Sequence, residues 1–487
     1  MKLRPLRFLF SLLILPLPAA ATDTLTLRLQ DAIALAGEES AEVQRARNTF
    51  LAAYWNYLNF RANRLPSVTL TSSPSINREL NKIVQADGTT RFIRQDQSDI
   101  DLALRIEQPV GWTGGKFLVR SSLNRYDEFR QHTVAYGTAP LIIGYEQNLL
   151  GYNALKWEKR IEPLRFREAK KQYAESLEVI SATTCSHFFA LASAQAELEM
   201  ARQNFASADT LYRMAQGRYE IGTVTENEML QLEINRLNEE TNVMEAEITL
   251  REAAQAIRSF LGLEPESELR LIVPDSVPQF QVPMAAAVET ALANSPDPEY
   301  YRRTLRESES QLAYAKADRG LRADLYVQFG LSQTGHDFAA AYRRPLHQEA
   351  ASITLAMPLL DWGRGRGKVR LAKSRLALAQ VEAEQGMNDF RQNVEKLVMQ
   401  FNMQGRKVRI AALTNQRAEQ RHNVARRLYI MGRSSLLDLN AAISEKNAAR
   451  RNHISAIRTY WTLYFTLRSM TAYDFEHHAP ITEQLPL

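Results

Sequence analysis

Two acids in this chain stand in matching places 210 residues apart. "GRYEIGTVTENEM" (Gly217 to Met229) carries Tyr219, Gly222 and Glu228, and "RRLYIMGRSSLLDLN" (Arg426 to Asn440) carries Tyr429, Gly432 and Asp438 at the same spacing. A carboxylate can act as a general acid or base or ligate a cation, and both uses need companions that the sequence does not supply. The eight histidines are scattered apart from His477-His478, no metal-ligand spacing appears, and no Ser, His and acid constellation suggests a nucleophile. "GRGRGK" (Gly363 to Lys368) lacks the four-residue spacer and the Ser or Thr after the lysine of a phosphate loop. It reads as a strand-to-helix turn with basic residues near lipid phosphates. No catalytic residue, metal or cofactor is expected. The bland reading of the two acids is that each satisfies the positive end of a helix.

The elements that hold the acids also come twice. A shift of 210 aligns Leu149–Asn153 with Leu359–Gly363 and Leu261-Gly262 with Thr471-Ala472, without a gap over about 110 residues. Upstream, "RLPSVTLTSS" (Arg64 to Ser73) pairs with "RADLYVQFGLS" (Arg322 to Ser332) at an offset near 257, so the first copy holds about 47 extra residues between Ser73 and Asn148. Those residues read as an added hairpin around "GWTGG" (Gly111 to Gly115). Each copy runs short helix (about Leu27–Gly37 and Met284–Asn294), medium helix (Ala41–Asn63 and Pro298–Gly320), strands, very long helix, tip and returning helix. The expected division is a first repeat over 22–262, with strands about 66–148 and a tip near 217–225, and a second over 284–472, with strands about 322–359 and a tip near 429–436. A linker (263–283) with Pro265, Pro274, Pro278 and Pro283 joins them, and 473–487 is a tail.

From Ala154 to Gln216 only Pro163 interrupts a helical pattern, which would run about 95 Å. Lys368 to Tyr429 is similar, broken only by Gly386 and Gly405, and the returning helices span about Thr225–Leu261 and Leu436–Thr471. Leu230, Ile234, Leu237, Thr241, Met244 and Ile248 step by four and three, and Leu250, Ala254, Ile257 and Leu261 restart the pattern on a shifted seam. Two seams on one helix imply neighbours on both sides, as in a closed ring. Among the strands, Ile100, Leu102, Leu104 and Ile106 alternate with acids and arginine, as do Leu325, Val327, Phe329 and Leu331 with polar residues. This alternation fits a lipid-facing, water-lined barrel and also a half-buried soluble sheet. Too few strands are present to close a barrel alone, so several copies would pool them. Trp112, Tyr145, Tyr152 and Trp362 near strand ends read either as an interfacial girdle or as ordinary packing.

The N-terminus reads as a cleaved signal peptide, 1–21: Lys2, Arg4 and Arg7, an apolar core from Leu6 to Leu17, then Ala19-Ala20-Ala21. Removing those three cations takes the formal charge from +5 to +2, which leaves no case for a nucleic-acid binder. One cysteine, Cys185, excludes an intrachain disulfide.

The opening "LRLQDAIALA", the strand exit "MPLLDWGRGRGKVRLAKSRLALAQ" (Met357 to Gln380) and the twin tips make the chain resemble the TolC family of outer-membrane efflux channels over almost all of its mature length. The resemblance implies a mostly α fold with a membrane β-barrel. In it a homotrimer pools strands into one outer-membrane barrel and long helices into a periplasmic α-helical barrel, with an internal two-fold structural repeat. It implies a non-enzymatic exit duct for efflux or type I secretion, docking with a periplasmic membrane-fusion adaptor and an inner-membrane efflux pump or ABC transporter. Adaptor grooves map to Tyr219, Gly222 and Thr223 and to Tyr429, Gly432 and Arg433; the periplasmic gate maps to Glu228 and Asp438. Ala441 stands where the best-known member has a further aspartate, and Ser434 where it has an arginine that ties the gate shut, with Arg433 the neighbouring cation. Locking by those contacts is therefore not implied here. From the residues alone, a structural coiled coil or a trimeric adhesin of the envelope are the competing readings.

Overall fold

The computed structural model describes residues 24–264, 268–274 and 276–481, so the signal peptide and the end of the tail lie outside the described residues. In chain order the first half forms β1 (Thr24–Arg28), α1 (Leu29–Glu39), α2 (Ala41–Ala62), β2 (Ser67–Val84), β3 (Thr90–Pro109), β4 (Lys116–Glu128), β5 (Thr133–Asn148), α3 (Ala154–Glu220) and α4 (Glu226–Leu261). After β6 (Glu268–Ile272) come α5 (Met284–Asn294), α6 (Asp297–Arg319), β7 (Arg322–Gly335), β8 (Leu346–Ala356), α7 (Arg364–Ile430), α8 (Leu436–Thr471), β9 (Tyr473–Asp474) and β10 (Ala479–Pro480). The long helices α3 and α7 are 67 residues each and the returning helices α4 and α8 are 36 each, with α7 and α8 starting 210 residues after α3 and α4. Upstream, α1 to α5 and β2 to β7 are offset by 255 and α2 to α6 by 256, against the expected 257.

Local chemistry explains the helix limits. Gly262 ends α4 in the left-handed region (φ 73°), its N–H bonded to the Arg258 carbonyl. Asp361 accepts the N–H groups of Gly363 (2.9 Å) and Gly365 (2.8 Å), so in "GRGRGK" the anion at the start of α7 is the chain's own. Neither Gly386 nor Gly405 breaks α7. A Cβ at Gly386 would run into the Tyr301 ring of α6, which accounts for glycine mid-helix despite a cost of about 1 kcal/mol.

The described residues form two compact units, 24–44 with 179–280 and 401–466, and 45–178 with 281–400 and 467–481. In the first, α3 touches α4 on one side through Leu198, Ala201 and Ala246 and through Arg202–Glu247 (2.9 Å). On its other side it meets α8 through Arg450–Glu199 (2.8 Å) and Arg451–Glu197 (3.0 Å). Helix α8 meets α7 through Gln404, which donates to the Ala456 carbonyl (2.9 Å). The row Ala254, Ile257 and Leu261 of α4 is buried, whereas Leu230, Ile234, Leu237, Met244 and Ile248 are exposed. The two seams thus differ: one packs within the chain and the other faces out. Helix α7 has its own exposed row, Met403, Ile410, Leu413 and Val424. The parallel pair β1–β6 was not expected; Leu27, Leu29 and Leu269 bury its inner side.

The second unit holds a six-stranded antiparallel sheet in the order β2-β3-β4-β5-β7-β8. Counting from the second copy, which supplies β7 and β8, the added hairpin is β3–β4, and it lies inside the sheet. On one face Val68 pairs Ile106, Ile106 pairs Val119, Val119 pairs Ile143 and Ile143 pairs Phe329, while Ile353 stands opposite Leu325. The other face is polar: Asn124 donates to Asp99 (2.7 Å) and Asp101 (2.9 Å), and Tyr126 to Gln97 (2.7 Å). Both outer strands, β2 and β8, are uncovered along most of their length. Trp112 and Trp362 are nearly fully exposed, but the hydroxyl of Tyr145 donates to Gln147 (2.6 Å) and that of Tyr152 shares a hydrogen bond with Ser310 (2.6 Å), so the tyrosines are engaged within the protein. Among the described residues no helix is long and apolar enough to cross a membrane.

Arg468 is the centre of a half-buried ionic cluster at the end of α8. Its guanidinium meets Glu178 (2.9 Å) and Asp474 (3.1 Å), and Asp474 also bonds His477 Nδ1 (3.0 Å), which ties the tail back.

Candidate functional site: the twin helical tips

Each long helix ends by the same device. Gly222 (φ 74°) donates to the Tyr219 carbonyl (2.9 Å) and Thr223 to the Arg218 carbonyl (2.9 Å); Gly432 (φ 69°) donates to Tyr429 (3.0 Å) and Arg433 to Leu428 (2.9 Å). These paired bonds satisfy the last carbonyls of a helix around a left-handed residue, and glycine takes that conformation without strain. A Cβ at either glycine would meet nothing within 4 Å, so backbone conformation, not space, calls for glycine.

The returning helices open on capping residues that the sequence reading left out. Thr225 caps α4, its hydroxyl accepting the Glu228 N–H (3.3 Å). In the second tip Ser435 and Asp438 cap each other: the Asp438 N–H donates to the Ser435 hydroxyl (3.2 Å), and the Asp438 carboxylate accepts from the Ser435 hydroxyl (2.7 Å) and N–H (3.3 Å). Ser434 adds a third donor at 3.3 Å. The Ser435 bonds, helped by Ser434, hold this exposed carboxyl below its usual range. Spacing could have found both caps, since T-x-x-E and S-x-x-D stand at the two helix starts.

Beneath the tips, Leu211 and Ala215 of α3, Leu232 of α4 and Leu439 of α8 form one buried cluster, with Tyr212, Ala425, Tyr429 and Ile443 packed on it. The matching tyrosines are therefore unequal. Tyr429 is half-buried, its phenol pushed up by burial and by nearby Glu228, whereas Tyr219 is exposed. The Thr223 hydroxyl donates to the Arg218 carbonyl (3.0 Å), and the exposed Arg433 side chain makes no ion pair among the described residues. Tyr219, Ile221, Met431 and Leu437 present apolar surface around the turns. The structure brings Ser434 and Asp438 together, and Tyr429 close to Glu228. Nothing at the tips assembles a nucleophile, and among the described residues no cluster of His, Cys, Asp and Glu is placed to hold a metal.

Comparison with known proteins agrees with this architecture. The model of the outer membrane efflux protein family matches residues 119–263 and 287–472. Nodulation protein T of Rhizobium leguminosarum bv. trifolii is 22% identical over 275 residues, a match covering 56% of this chain and 58% of that protein, so the chain matches less than two thirds of its relative's length. Among solved structures, the CmeC outer membrane channel of Campylobacter jejuni superposes with a TM-score of 0.66 at 15% identity, covering 91% of this chain and 85% of that one. The outer membrane protein VceC of Vibrio cholerae does so at 0.62 and 14%, covering 91% and 95%. At such identities the likeness shows the fold alone. The family match, over more than half of the residues, carries the assignment: this chain belongs to the outer membrane efflux protein family, whose members are outer-membrane channels and not enzymes.

Proposed function

We propose that the chain is one third of a trimeric exit duct in a tripartite efflux or type I secretion system. The observation that carries the reading is that both layers are left open at their margins. Long, uncovered strand edges on β2 and β8 and uncovered apolar rows on α4 and α7 are liabilities in a monomer and are removed when copies close a ring. The strands run out and back, so β8 of one copy meets β2 of the next antiparallel. The sheets then make an outer-membrane barrel with its apolar face to lipid, and the helices make a second ring reaching into the periplasm.

At the tips, Tyr219, Gly222 and Thr223 and, in the second groove, Tyr429, Gly432 and Arg433 receive a periplasmic adaptor, which links the duct to an inner-membrane pump or ABC transporter. Glu228 and Asp438, one of each per copy, ring the gate with six carboxylates and favour cations there, with Ser434 holding Asp438 in place. Conductance in planar bilayers tests the reading. The purified trimer should give discrete channels, and Glu228→Gln with Asp438→Asn should lower their cation preference. A trimer silent in both forms would sink the duct reading.

A further inference from the structure

We infer that the trimer closes a barrel of eighteen strands rather than twelve, which gives this duct an outer opening wider than its two-copy plan requires. The inference rests on the trimeric reading above. The second copy supplies two strands, and a first copy built alike would supply two, so three chains would close twelve. The inserted hairpin adds β3 and β4, and it does so within the wall: β3 bonds β2 over all eighteen residues of β2, and β4 bonds both β3 and β5. A hairpin lying outside the wall would leave β2 and β5 paired with each other, and they are not neighbours.

The side chains agree with the hydrogen bonds. On β3 and β4, Leu104, Ile106 and Val119 continue the apolar face that runs from Val68 to Phe329. On the opposite face Asn124 bridges Asp99 and Asp101. The hairpin thus has one face for lipid and one for water, the division required of a wall strand and not of a loop folded over the mouth. With strands about 4.8 Å apart and tilted about 40°, eighteen give a backbone diameter of about 36 Å and twelve about 24 Å. The cross-section grows a little over twofold, while the helices, identical in length in both copies, gain nothing.

Electron cryomicroscopy of the full-length trimer in nanodiscs tests this directly. Eighteen strands in the wall are expected. Twelve, with the hairpin outside, would overturn the inference and leave the trimeric duct intact, whereas a particle that is not a trimer would overturn both. A second test needs no deletion. In a Cys185→Ala background, a spin label on Leu104→Cys should be several-fold more accessible to oxygen than to a water-soluble nickel chelate, and Arg105→Cys the reverse, as for Phe329→Cys against Gln328→Cys. Equal water access at 104 and 105, alongside alternation at 328 and 329, would place the hairpin outside the wall.

Discussion

Replacing Gly432 with alanine isolates what the tip glycines do. The backbone there sits at φ 69°, and an added Cβ meets nothing within 4 Å, so the whole cost is conformational. A non-glycine residue in the left-handed region loses about 1 kcal/mol, which is about fivefold in the opening equilibrium of the turn. The bonds that open are those from Gly432 and Arg433 to the Tyr429 and Leu428 carbonyls, at 3.0 and 2.9 Å. Amide hydrogen exchange of the detergent-solubilised protein reads them directly: the amides of residues 432 and 433 should exchange about fivefold faster, with the buried α3 and α8 amides unchanged. Asparagine, which tolerates this conformation, should recover much of the protection. Gly222→Ala should act alike on residues 222 and 223. Unchanged exchange at both tips would refute the claim that positive φ is the reason for glycine, and a loss of protection throughout the helices would point to a packing role.

Other outcomes follow from the packing. Leu439→Ala, fully buried among four helices, should cost about 2–5 kcal/mol, seen as a lower melting temperature and faster proteolysis at the tips. Ile234→Asp and Met244→Asp lie on the exposed α4 row, so they should leave the monomer's circular dichroism intact and shift size-exclusion elution from trimer to monomer; a retained trimer would remove α4 from the interface. Arg468→Ala strands the buried Glu178 and should cost about 3 kcal/mol by chemical denaturation, with Arg468→Lys a partial rescue. His477 is raised above its ordinary 6.5 by its hydrogen bond to Asp474, so its contribution to anchoring the tail is complete below pH 6.5 and fades as pH rises through the raised value. Proteolysis of the tail should accelerate as pH rises above 6.5, and His477→Gln should abolish that difference. Cys185, whose thiol burial pushes up to about 12, should resist alkylation until the protein unfolds.

The long elements were legible in the sequence because they are local. A 36-residue helix between a capping Thr225 and a left-handed Gly262 announces both ends, and the 210-residue shift fixed its partner, α8. The β1–β6 pair was not legible: Thr24–Arg28 pairs with Glu268–Ile272, two segments far apart in sequence, and "LTLRLQDAIALA" reads equally well as the start of a helix. The seams of α4 were visible as two rows, but which one packs inside the chain depends on Leu198 and Ala201 of another helix. The inequality of Tyr219 and Tyr429 has the same origin, since the cluster that half-buries one draws on four helices.

The position of the inserted hairpin carries a rule of parity. Strand β2 leaves the helices and the chain must be travelling back toward them when α3 begins, so anything inserted between has to be an even number of strands. A single extra strand would deliver the chain to the wrong end of the sheet and invert every element after it. Change by whole hairpins preserves the direction in which the chain re-enters the helices, and α3 and α7 match in length across the insertion. In a threefold assembly the smallest permitted step in girth is therefore six strands.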